Sequence, residues 1–147
     1  DPANLPMLPD LPDGSSWQLE ELFGPPDFVI ESPTLTVAAN GQDQWLVQRT
    51  PFEGLIDEPR YVRATELKGS YPLSVKVLHH GHVTLGSRPL GRQGVGKGGD
   101  IFPEGTGMQI QPSGDLVWNL HYFPIEQEVA DARALAQHVR PMYRCIV

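Results

Sequence analysis

Ser74-Val-Lys-Val-Leu-His-His-Gly-His-Val-Thr-Leu85 sets the pattern for the rest of the chain. β-Branched and apolar residues dominate it, so it reads as one extended strand, and it holds three of the chain's five histidines. Leu116-Val-Trp-Asn-Leu-His-Tyr-Phe123, launched by the turn residues Pro112-Ser-Gly-Asp115, is a second strand and carries His121.

Working outward, Phe28-Val-Ile-Glu31, Leu35-Thr-Val-Ala38, Trp45-Leu-Val-Gln-Arg-Thr50 and Tyr61-Val-Arg-Ala-Thr-Glu-Leu67 repeat the pattern. Asn40-Gly41, Glu53-Gly54 and Lys68-Gly-Ser70 punctuate them, and this rhythm predicts an all-β antiparallel sandwich. The segment from Val129 to Val139 is ambiguous. Its alanines in Ala130-Asp-Ala-Arg-Ala-Leu-Ala136 favour helix, while the surrounding architecture calls for another strand.

Upstream, Pro2, Pro6, Pro9 and Pro12 block helix and favour an extended arm. Ser15-Ser-Trp-Gln-Leu-Glu-Glu-Leu-Phe-Gly24 follows with a serine N-cap, early acidic residues and a closing glycine before Pro25, which predicts one short helix. The expected organisation is a proline-rich arm with a short helix over 1–25 and a single sandwich domain over 26–147. The arm suits tethering to other protein subunits; packing of the helix on the chain's own sheet is the competing expectation.

The formal net charge of -7 opposes binding to nucleic acid or anionic lipid. No apolar run approaches the roughly 20 residues of a membrane helix, so no direct membrane span is expected. Cys145 is alone and cannot form an internal disulfide, which leaves the redox compartment open. The chain begins at Asp1 without methionine, which leaves room for a removed leader or anchor.

Imidazole is the commonest protein ligand for copper and zinc, so His79, His80, His82 and His121 are the candidate metal ligands. In a regular strand His80 and His82 share one face and His79 the other. Gly81 suggests a bulge that re-aims His79 and His80 toward a common point. Either pair takes His121 as its third member. His138 stands apart, and Met108 reads as core filler.

Three other patterns carry less. Gly91-Arg-Gln-Gly-Val-Gly-Lys-Gly98 approaches a phosphate-binding loop, but Gly98 replaces the required Ser or Thr and no helix follows, so it reads as a flexible glycine loop. Glu126, Glu128 and Asp131, like Glu20 and Glu21, read as solvated surface. Trp45, Trp118, Tyr122 and Phe123 would suit a carbohydrate- or peptide-binding platform, although their alternation with core positions predicts that they are buried.

Taken in order, Pro59-Arg-Tyr-Val-Arg-Ala-Thr-Glu-Leu67, the strand reaching His79-His80, Phe102-Pro-Glu-Gly-Thr106, Gly114-Asp-Leu-Val-Trp-Asn-Leu-His-Tyr122 and Asp131 resemble the copper type II, ascorbate-dependent monooxygenases. The resemblance spans about residues 44 to 141 and lies in motif order. It implies a jelly-roll-like sandwich corresponding to the electron-donating copper half, with His79, His80 and His121 as copper ligands and Val129 to Val139 as strand. The chain departs from the family in lacking a second sandwich and the disulfides, and in having His82 where an apolar residue is expected.

Two functions follow as expectations. The first is a non-catalytic accessory subunit of an extracytoplasmic, periplasmic complex in electron transfer, held to other subunits through the arm. The alternative is a mononuclear type II copper electron-transfer domain, or a monooxygenase half completed by a partner.

Overall fold

The computed structural model describes residues 16–69, 74–94, 97, 99–126, 129–131 and 133–140. The proline-rich stretch up to residue 15 and Cys145 lie outside these. In chain order the described elements are α1 (Glu20–Phe23), β1 (Phe28–Glu31), β2 (Leu35–Val37), β3 (Gln44–Phe52), β4 (Arg60–Gly69), α2 (Ser74–Val77), β5 (Leu78–Leu85), β6 (Arg88–Gly94), β7 (Asp100–Ile101), β8 (Met108–Ile110), β9 (Gly114–Tyr122), β10 (Val129–Asp131) and β11 (Arg133–Arg140).

Every strand pairing is antiparallel. A four-stranded sheet runs in the order β3-β9-β5-β6, and a five-stranded sheet in the order β1-β11-β4-β7, with β8 also paired to β4; β10 and β2 form a separate ribbon. The chain crosses between the sheets repeatedly, as a sandwich requires.

Side-chain alternation explains why the two sheets bury one face each. Leu116, Trp118 and Leu120 of β9 and Val83 and Leu85 of β5 point inward, where they meet Ile30, Val62, Leu67 and Ile110 of the five-stranded sheet. Each such burial contributes roughly 1.5–3 kcal/mol. Trp118 is fully buried, and its Nε1–H donates to Thr50 Oγ1 at 2.8 Å, so its polar group goes in satisfied.

The opposite face of β4 is covered by residues 17 to 23. Buried Glu66 accepts hydrogen bonds from the backbone N–H of Gln18 at 3.0 Å and of Leu19 at 2.9 Å. The Arg63 guanidinium lies 4.3 Å from the Phe23 ring centre, and the Lys68 ammonium lies 4.4 Å from that of Trp17. Leu19 is buried in this contact. The short helix therefore packs on the chain's own sheet.

The structure sharpens some local expectations and corrects others. The helix is the single turn Glu20–Phe23, closed by Gly24 at φ 76°. Ser74–Val77 forms a second helical turn where extended chain was expected, so the strand proper starts at Leu78. Gly91 to Gly94, read as the start of a flexible glycine loop, belong to strand β6, which is joined to β5 by a two-residue turn in which Gly86 has φ 57°. The alanine-rich segment is strand: β11 lies between β1 and β4, where tertiary pairing overrides helix propensity. Among the described residues no helix is long and apolar enough to cross a membrane.

Candidate metal centre

The four-stranded sheet carries the histidines on the face turned away from the core. On β9, Val117, Asn119 and His121 alternate with the buried Leu116, Trp118 and Leu120, and β3 places Trp45 directly opposite His121.

The register between β5 and β9 contains the decisive irregularity. Leu78 pairs with Tyr122, but the next pair is His80 with His121, so β5 has one extra residue, His79, at this point. Leu78 before it, and Gly81, Val83 and Leu85 after it, are buried, which leaves His79 and His80 both exposed. A regular strand would have sent one of the two inward.

His79, His80 and His121 form a cluster in which one ligating nitrogen from each lies within 4.8 Å of the others. The closest approach is 3.4 Å, between Nδ1 of His80 and Nδ1 of His121. Two nitrogens bound about 2.0–2.1 Å from a tetrahedral ion stand about 3.3–3.4 Å apart, so this pair already has the required separation. His79 is exposed and its ring can close the remaining distance by side-chain rotation.

The expected bulge is present, but at His79 rather than at Gly81. Gly81 faces Leu120 across the strand pair, and a Cβ there would lie 2.8 Å from Leu120 Cδ2 and 3.2 Å from the Asn119 carbonyl oxygen. Its role is close packing of β5 on β9. His82 pairs with Asn119 one step further along and lies outside the cluster. Met108 packs against the core, as filler.

Two residues that sequence reasoning did not assign to the site complete it. The Trp45 ring stacks on that of His121, with centroids 4.3 Å apart and planes at 8°, and meets His80 edge-on at 4.9 Å. Asp43 Oδ1 lies 2.8 Å from His121 Nε2. That oxygen is close but off the ring N–H direction, because buried Nε2 makes no aligned hydrogen bond. The Asp43 side chain is half exposed, so a small rotation would bring its carboxylate into line with Nε2. The signal available in the sequence was the i, i+2 pair Asp43 and Trp45 at the start of a strand.

The aromatic platform is divided. Trp118 and Tyr122 are buried as expected, whereas Trp45 and Phe123 are each 59% exposed. They project from the outer face beside the histidines, and Phe123 lies 6.5 Å from the His79 ring.

No family model, curated protein or solved structure matches the chain.

Proposed function

We propose that this chain is a mononuclear copper-binding β-sandwich domain that exchanges electrons with a protein partner in an extracytoplasmic assembly. The observation behind this reading is the convergence of His79, His80 and His121 through a bulge that a purely structural strand does not require. An all-imidazole set suits copper, zinc and nickel, and intrinsic affinity favours Cu(II) among divalent ions. The order of motifs shared with the copper type II monooxygenases points the same way.

A bound copper would supply one-electron chemistry. The chain's own residues would hold the ion at the surface through two exposed rings and one buried ring. The described residues hold one such histidine cluster, and hydroxylation would need a second, oxygen-activating copper site besides it.

The accessory-subunit reading retains one observation in its favour. Trp45, Val47 and Phe123 are all largely exposed, an arrangement that suits contact with another protein.

Reconstitution with Cu(II), followed by electron paramagnetic resonance, tests the proposal. One type II signal per chain that disappears in His121→Ala supports it. Absence of a stoichiometric signal overturns it. Uptake of zinc in preference to copper would retain the metal site but overturn the copper assignment.

A further inference from the structure

We propose that Asp43 is the positioning residue for His121, holding Nε2–H so that Nδ1 is the nitrogen presented to the ion. This rests on the metal-site reading above.

The two strands dictate the arrangement. Antiparallel pairing sets Trp45 opposite His121, and Asp43, the residue just before β3 begins, reaches the same ring from the strand entrance. Trp45 then fixes the plane of the imidazole by stacking at 8°. Stacking alone does not choose between the two orientations related by a half-turn of the ring, because both leave the imidazole in the same plane against the indole.

Asp43 supplies the choice. With its carboxylate 2.8 Å from buried Nε2, the favoured orientation and tautomer direct an N–H toward the negative oxygen. The lone pair is then left on Nδ1, which faces His80 Nδ1 at 3.4 Å. The opposite tautomer would place a lone pair against the carboxylate and a proton where the ion binds. A buried ring nitrogen without a partner is costly, and the carboxylate of the half-exposed Asp43 is the group close enough to relieve that cost.

The test measures Cu(II) affinity by chelator competition, together with spin-echo modulation from the remote imidazole nitrogens, in wild type, Asp43→Ala and Asp43→Asn. Asp43→Ala is expected to weaken binding by about 10–100-fold and to change the signature of one remote nitrogen. Its thermal midpoint without metal should stay at the wild-type value, because Asp43 is half exposed. Asp43→Asn, which keeps an acceptor oxygen, should recover part of the affinity.

Wild-type affinity and an unchanged modulation pattern in Asp43→Ala would overturn the proposal while leaving the metal site standing. Failure of the wild type to take up Cu(II) would overturn the metal reading and this proposal together.

Discussion

The rings of Trp45 and His121 lie face to face, 4.3 Å apart and 8° from parallel, across the pairing of β3 with β9. This contact links an exposed indole to the one buried member of the histidine cluster, and gives the site a built-in optical reporter.

Cu(II) titration is expected to quench tryptophan fluorescence mainly through Trp45, because Trp17 packs against Lys68 and Trp118 is in the core. In Trp45→Phe the metal-dependent quenching should vanish while one equivalent of copper still binds, which parallel emission and equilibrium-dialysis measurements would establish. Full quenching in the variant would refute the assignment.

The four candidate histidines should separate into two groups. Alanine at His79, His80 or His121 removes a ligand and should weaken binding beyond the roughly 10–100-fold loss expected for an outer partner. His82→Ala should leave the affinity unchanged, because His82 lies opposite Asn119 outside the cluster. Isothermal titration of the four variants decides the matter.

Gly81→Ala should destabilise the fold by about 1–3 kcal/mol through overpacking. The new methyl would press on the side chain of the fully buried Leu120 and on the Asn119 backbone carbonyl. Urea unfolding measures the loss, and a variant as stable as wild type would show that β5 can move away from β9.

Glu66→Ala should cost about 2 kcal/mol or more, since it leaves the N–H groups of Gln18 and Leu19 without their acceptor. Limited proteolysis should then cut within residues 17 to 23 more readily than in wild type. Unchanged cleavage would mean that the aromatic contacts of Trp17 and Phe23 hold the segment unaided.

Much of the sandwich was legible because period-two alternation is a strong local signal. Phe28–Glu31 is a strand with the expected bounds, and the strands around Trp45, Tyr61 and Trp118 fall where that pattern placed them. Strand β6 was hidden because Pro89, Gly91 and Gly94 punctuate it as they would a loop, and pairing with β5 supplies what propensity lacks. Val75 and Val77 gave Ser74–Val77 the look of extended chain, although the backbone makes a helical turn there.

The candidate site was legible in its residue types but not in its geometry. Adjacent histidines announced imidazole chemistry, yet nothing local marks which residue of a strand will be the extra one. The bulge depends on how β5 and β9 match along their length, and fell two residues before the glycine that seemed to mark it. Trp45 and Asp43 joined the site only through pairing between strands far apart in sequence.

The unequal exposure of the three rings would set the route by which an ion enters and leaves the cluster. His121 is fixed in the wall of the sheet, while His79 and His80 face solvent. An incoming ion would meet these two exposed rings first, and its release would require breaking the metal–nitrogen bonds and turning the two side chains aside, with no change in the strands that carry them. Strong chelators should thus empty the domain without unfolding it. A bound ion would still tie β5 to β9 and raise the stability of the sandwich by linkage, but its exchange would need no unfolding.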